Sequence, residues 1–238
     1  MATRVFDKPR LASVALGRPE STFSSVRLSL GLRRFLNMLT ALTAIVITLP
    51  VMLLIAALIK LTTRGSIVYR QTRVGLDRRG NRSMGDNWRR LGNVGGRPFT
   101  IYKFRTMSEQ KAGTQVWATP DDQRITSLGR ILRKFRLDEL PQFFNVLRGD
   151  MNVVGPRPEQ PDIFSHLRSK IEYYPHRQQV LPGITGWAQI NLSYDRSLDD
   201  VRRKVALDLE YIRRQSAVED AKIMLRTLPV MLGRRGGW

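Results

Sequence analysis

"ALTAIVITLPVMLLIAALI", residues 41–59, runs for nineteen residues without a charged side chain. A straight helix of that length crosses a hydrocarbon core, so the stretch places the chain at a membrane. It begins some forty residues in, behind no small-residue cleavage pattern, which argues against a removed secretion signal. Arg27, Arg33 and Arg34 precede it, and Lys60, Arg64, Arg70 and Arg73 follow it. Positive charge marks the cytoplasmic side of a membrane segment, and here both flanks carry it, which one straight span does not satisfy. Pro50 stands near the middle, where it removes a helical hydrogen bond and crowds the preceding turn. The spacing therefore predicts a re-entrant hairpin: a helix that enters, breaks around Thr48-Leu49-Pro50 and leaves on the same face. The Thr48 hydroxyl is available there to a freed backbone group.

Outward from this segment the chain is strongly basic, with 40 Lys+Arg against 20 Asp+Glu and a net charge of +20 over 238 residues. Such a balance selects anionic partners: nucleotides, lipid headgroups or nucleic acid. The absence of cysteine excludes disulfides and thiolate metal sites, and two histidines, His166 and His176, leave little for zinc. A metal here is held mainly by oxygen, which suits Mg²⁺. Residues 1–34 read as a basic, mostly irregular extension, 35–62 as the hairpin, 63–232 as one catalytic domain and 233–238 as a tail.

Within the domain, "SIVYRQTRVG" (66–75) and "RPFTIYKFRTM" (97–107) alternate as strands, and the Gly- and Arg-rich stretch between them, around 76–96, is a loop. "TSLGRILRKFR" (126–136) spaces Leu128, Ile131, Leu132 and Phe135 as a cationic amphipathic helix, suited to a headgroup layer or to a core. Residues 199–232 read as one or two further amphipathic helices. The fold class is a helix-rich α+β arrangement, with interfacial helices around one domain on the membrane.

The acidic pair Asp138-Glu139 in "RLDELPQ" (136–142) stands out against this background. Leu140, preceding Pro141, is biased away from helical geometry, whereas proline suits a first helical turn. The pair therefore falls at or just before the start of the helix "LPQFFNVL", where the macrodipole favours an ionised Asp138 and a neighbouring phosphate. A plain N-cap explains the aspartate equally well. Farther on, Pro156 and Pro158 fix the backbone around Arg157 for bidentate phosphate contact. Arg177 opens "RQQVLPGITGWAQIN", where Gly183 and Gly186 permit close approach of a ligand or simply make turns.

"YKFRTM" (102–107), "LDELPQFFNVLRGDM" (137–151), "VGPRP" (154–158), "PGITGWAQIN" (182–191) and "LDLEYI" (207–212), in that order after a Pro-centred apolar segment, resemble the bacterial sugar transferases. These are the monotopic polyprenyl-phosphate phosphoglycosyl transferases. The resemblance spans about residues 33–232 and is to the compact type. It implies transfer of a sugar-1-phosphate from a nucleotide sugar, usually a UDP-sugar, to polyprenyl phosphate on the cytoplasmic face of the bacterial inner membrane. By that similarity Asp138 is the nucleophile and forms a phosphosugar-aspartyl enzyme. A carboxylate can serve as such a phosphoryl acceptor. The resemblance further implies Mg²⁺ near Asp138 and Glu139, with Glu139 as metal ligand or proton carrier. Lys103, Arg105, Arg157 and Arg177 are the matched anion-binding residues, and Asp208 is a structural or substrate contact. Anionic lipids are expected partners, and self-association is left open. The competing reading is a membrane-tethered module that binds nucleic acid or lipid without catalysis. It finds no aromatic platform interleaved with the basic clusters and no use for the Asp-Glu pair, so nucleic acid is not an expected partner.

Overall fold

The protein, seen here as a computed structural model, is described over residues 23–77, 95–108, 122–192 and 197–232. Most of the basic extension (1–22), the centre of the Arg- and Gly-rich insertion (78–94) and the tail (233–238) lie outside the described residues. Helix α1, Phe23–Thr62, is the first element. It starts twelve residues earlier than residue 35, the boundary the sequence suggests. The reason is visible in the chain: no proline falls between Pro19 and Pro50 to stop a helix. Pro50 lies inside α1. Its missing N–H leaves the Val46 carbonyl without a helical donor. The Thr48 hydroxyl does not replace it; it donates to the Ala44 carbonyl at 2.7 Å, a back-bond that tends to bend helices.

Most of α1 faces outward although it is apolar: Val46, Ile47 and Leu53 are 64%, 71% and 63% exposed. A helix hydrophobic all round and unburied by its own protein is compatible with hydrocarbon as solvent, and α1 is long and apolar enough to cross a membrane. Its few buried positions fall in two groups. Arg33, Asn37, Ala41 and Ile45 lie before Pro50, and Met52, Ile55 and Ile59 after it.

Strands β1 (Val68–Val74) and β2 (Pro98–Phe104) pair antiparallel, with Val68 opposite Phe104 and Val74 opposite Pro98. Helix α2 (Ser127–Lys134) follows, started by Thr126, whose Oγ1 accepts from the Gly129 N–H at 2.9 Å. Gly129 is required because a Cβ there would stand 2.0 Å from the Thr106 carbonyl. A 3-10 turn, Leu137–Glu139, leads into α3, Gln142–Arg148. Leu140 is helical at φ −52, ψ −39, contrary to the bias expected before a proline. Stacking the 3-10 turn directly on α3 overrides that bias, and Leu140 packs with Met52, Ile55 and Leu132.

Strand β3 (Asn152–Val154) pairs in parallel with β4 (Gly183–Thr185), and α4 (Pro161–Lys170) and a 3-10 turn, Tyr174–Gln179, lie between them in sequence. Short α5 (Trp187–Asn191), α6 (Leu198–Arg214) and α7 (Ala217–Leu232) complete the described chain, so the expected tail helices number two. Val146, Met151, Val153, Val154, Tyr211 and Ile223 form one core with Ala41 of α1. Phe164, Tyr174, Val205 and Leu209 form a second. The long apolar helix α1 is thus built into the domain rather than tethered to it. Asn37 accepts from the Val153 N–H at 2.7 Å, and Arg33 reaches Asp220 at 2.9 Å and the Tyr211 hydroxyl at 3.1 Å.

Candidate active site

Asp138 and Glu139 sit in the 3-10 turn that β2, α2 and α3 enclose, with side chains 11% and 7% exposed. Asn145 of α3 fixes that helix against β2 by accepting from the Tyr102 N–H at 3.1 Å and donating to the Thr100 carbonyl at 2.7 Å. The next residue along β2, Lys103, then reaches the acidic pair. Its Nζ lies 2.8 Å from Glu139 Oε1 and 3.8 Å from Asp138 Oδ2.

Arg157 arrives from the other side. It follows β3 in the Pro156-Arg157-Pro158 segment, and its Nη2 donates to Glu139 Oε1 at 2.6 Å. The backbone of that segment is fastened: Arg177 Nη2 donates to the Arg157 carbonyl at 3.1 Å, Arg73 Nη1 to the Pro158 carbonyl at 3.1 Å, and the Val74 N–H to the Glu159 carbonyl at 2.9 Å. Close backbone packing sets its origin. A Cβ on Gly183 would lie 2.1 Å from the Gly155 nitrogen, and one on Gly186 would lie 2.3 Å from the Gly155 oxygen. These two glycines, considered for approach to a ligand, serve the approach of β4 to the residue that launches Pro-Arg-Pro.

The two carboxylates differ electrostatically. Burial dominates at Asp138 and raises its pKa, with Lys103 opposing and Glu139 adding to the rise. At Glu139 burial also works against the charge, but Arg157 and Lys103 more than offset it and hold the group well below the ordinary carboxylate range. Glu139 is the counter-ion of the cluster. Among the described residues Asp138 accepts no hydrogen bond on its carboxylate, its closest cation being Lys103 at 3.8 Å. The expected helix-terminal stabilisation of its charge is not the controlling effect, and no side-chain capping bond is made at the start of either the 3-10 turn or α3.

Of the seven residues singled out from sequence, the structure brings four together: Lys103, Asp138, Glu139 and Arg157. Arg105 is elsewhere, donating to the Arg64 carbonyl at 2.7 Å and to Thr63 Oγ1 at 2.7 Å, where its guanidinium fastens the two residues that follow α1. Arg177 and Asp208 form a separate buried pair at 2.7 Å, one step behind Arg157. Two residues escaped sequence reading. Arg73 is one, and alternation along β1 offers no hint of its bond to Pro158. Arg136 is the other, with Nη1 3.9 Å from Glu139 Oε2; its place three residues before Glu139 was a usable signal.

No group of three or more His, Cys, Asp or Glu side chains able to hold a metal occurs among the described residues. Two adjacent carboxylates nevertheless fit Mg²⁺ in its usual substrate-assisted mode, one or two protein oxygens with phosphate oxygens and water completing the octahedron. Asp138, unencumbered by hydrogen bonds, is the readier donor of the two.

A family model described as bacterial sugar transferase matches residues 28–234. The chain is 40% identical over 203 residues to a UDP-N-acetylgalactosamine-undecaprenyl-phosphate N-acetylgalactosaminephosphotransferase of Aeromonas hydrophila, covering 84% of this chain and 44% of that protein. It is 39% identical over 203 residues to a UDP-glucose:undecaprenyl-phosphate glucose-1-phosphate transferase of Caulobacter vibrioides, covering 84% and 69%. It is 39% identical over 202 residues to a protein of Escherichia coli K12 with the same description, covering 83% and 39%. The chain therefore spans less than half the length of the Aeromonas and Escherichia proteins.

Proposed function

The chain belongs to the bacterial sugar transferase family, and on that premise we propose that it transfers a sugar-1-phosphate from a UDP-sugar to undecaprenyl phosphate, the opening step of a surface glycan. The observation that carries the reading is the division of labour in the acidic pair. Glu139 absorbs Lys103 and Arg157, while Asp138, buried beside it, keeps an unbonded carboxylate.

In the proposed reaction an Asp138 oxygen attacks the phosphorus attached to the sugar. The bond from that phosphorus to the bridging oxygen breaks, and UMP leaves with the electron pair. An oxygen of undecaprenyl phosphate then attacks the same phosphorus, the aspartyl bond breaks, and undecaprenyl diphosphosugar forms with the carboxylate restored. Splitting the transfer in this way avoids bringing two phosphate anions together in one step. Lys103 and Arg157 offset charge on the transferring group. Asp138 and Glu139 are the residues that would hold Mg²⁺, whose chemistry there would be to offset charge on phosphate oxygens.

The site works at a membrane because its acceptor lives there. The re-entrant form of α1 belongs to this reading, and bond geometry supports it. A straight helix would set residues 34 and 63 about 44 Å apart. Arg34 donates to the Val146 and Leu147 carbonyls, beside Asn145 of α3, which accepts from the Tyr102 N–H of β2, while Arg105 donates to Thr63 Oγ1. Residues 102 to 105 span about 10 Å of extended chain. Two arginine side chains close the remaining distance only if every link is stretched along one line, and a bend at Pro50 removes that demand.

Purified protein with Mg²⁺, undecaprenyl phosphate and a panel of UDP-sugars should release UMP for at least one sugar, and Asp138→Asn should release none above background. Full activity in that variant would overturn the mechanism, and silence of the wild type across the panel would overturn the activity.

A further inference from the structure

Helix α2 ends at Lys134, and two residues later Arg136 adopts φ 53, ψ 23, with its N–H donating to the Arg133 carbonyl at 3.1 Å. Helices commonly end in this left-handed conformation, and the residue there is usually glycine because a Cβ is strained in it. Only one other described non-glycine residue has positive φ, Tyr173 at 62. The Tyr173 ring contributes to packing, lying 5.5 Å from the His176 ring and against the second core. Arg136 instead turns its guanidinium to the acidic pair, with Nη1 3.9 Å from Glu139 Oε2 and the side chain 23% exposed. A strained backbone that aims a charged group at a reactive cluster points to use of that group.

The arrangement of the cluster says what the use is. Lys103 bridges Asp138 and Glu139 Oε1, whereas Arg136 meets the other oxygen, Oε2, which Arg157 Nη1 also approaches at 3.5 Å. Within these five residues, Lys103, Arg157, Asp138 and Glu139 balance to zero formal charge, and Arg136 makes the cluster positive. A diphosphate brings two phosphates to this site, and Arg136 adds a cation at Glu139 Oε2, beside the Oε1 that Lys103 and Arg157 reach. We propose that Arg136 is a further phosphate-binding residue, contacting the phosphate that leaves as part of the nucleoside monophosphate.

The inference rests on the transfer reading above, and it is tested by binding so that the two can fail separately. The full chain in lipid nanodiscs is titrated with UDP as wild type, Arg136→Gly and Arg136→Lys, and each is melted. Glycine relieves the backbone while deleting the guanidinium. The expected result is UDP affinity about 10-fold weaker in Arg136→Gly, matching loss of a charge-assisted contact, and partly restored in Arg136→Lys. Its melting midpoint should be unchanged or roughly 2–4 °C higher. Affinity within twofold of wild type, or a lowered midpoint accompanying the loss, overturns the proposal in favour of a role in the fold. Wild type that binds UDP yet transfers no sugar defeats the transfer reading and leaves Arg136 to be decided by the same titrations. Wild type that does not bind UDP defeats both.

Discussion

Arg177 and Asp208 meet at 2.7 Å with side chains 4% and 2% exposed, and about one segment away the half-buried Lys103 and Arg157 meet the buried Glu139 and Asp138 in a second cluster of acid and base. In the first, every group is occupied. Arg177 also donates to the Tyr174 hydroxyl at 3.0 Å and to the Arg157 carbonyl, while Lys204 holds Glu159 at 2.9 Å. In the second, one carboxylate takes the cations and the other is left at 3.8 Å from its nearest, too far for a hydrogen bond. Burial raises the pKa of both aspartates, with cations opposing it at each, but Asp208 accepts a short bond from Arg177, whose own pKa it pushes up, whereas the nearest cation to Asp138 stands at 3.8 Å. A closed ion cluster fixes a backbone. An unequal one stores a reactive group, and the first cluster is what holds Arg157 in place for the second.

The sharpest break of this comparison is the pair of isosteric changes at its two aspartates. Asp138→Asn should lower transfer by about 10³-fold or more, as loss of a nucleophile does. It should not lower stability. The folded pKa of Asp138 lies above its unfolded value, so ionisation favours the unfolded chain at neutral pH, and a neutral amide removes that cost. Thermal melting at pH 7 should show an equal or higher midpoint. Asp208→Asn should do the reverse to the fold. It strands Arg177 with too little counter-charge, a loss of about 3–5 kcal/mol, and melting should fall by at least roughly 6 °C.

An acid titration sharpens the same contrast. Burial opposes the charge on Glu159, yet Lys204 and Arg177 hold its pKa at about 2, against 4.5 for a free glutamate. Its folded pKa is depressed, so its contribution is full above about pH 4.5 and is lost as pH falls from there towards 2. The difference is on the order of 3 kcal/mol. Chemical denaturation at pH 6 and pH 3 should register about 2 kcal/mol of it, and Glu159→Gln should flatten that part of the profile. The smallest effect belongs to a pair outside both clusters. Arg202 and Asp199 meet at 2.6 Å, but with side chains 51% and 75% exposed, and Arg202→Ala should change stability by less than about 0.5 kcal/mol.

Much of this was legible in the chain. The apolar run, the strands around Tyr69 and Tyr102, the helix at 126–136 and the acidic pair ahead of α3 follow from spacing and composition. Lys103 and Arg157 as partners of the pair came from motif resemblance, because residues 36 and 18 positions from Glu139 carry no periodic relation to it. What resisted reading has physical reasons. Strands of three residues such as β3 and β4 show no alternation. Arg177, read as an anion-binding residue, and Asp208, read as a structural or substrate contact, pair with each other, and a sequence shows charges without showing which ones meet. Arg136 in a left-handed position contradicts residue preference, and a sequence gives no sign of such a violation.

The covalent step is the centre of the account, and one measurement addresses it. Protein is mixed with its UDP-sugar and Mg²⁺ in the absence of any lipid phosphate, and UMP is counted against enzyme. The account predicts a rapid burst approaching one UMP per active site, with the sugar phosphate recovered by mass spectrometry on the peptide containing Asp138. UMP release that begins only when undecaprenyl phosphate is added, with no labelled peptide, would contradict it.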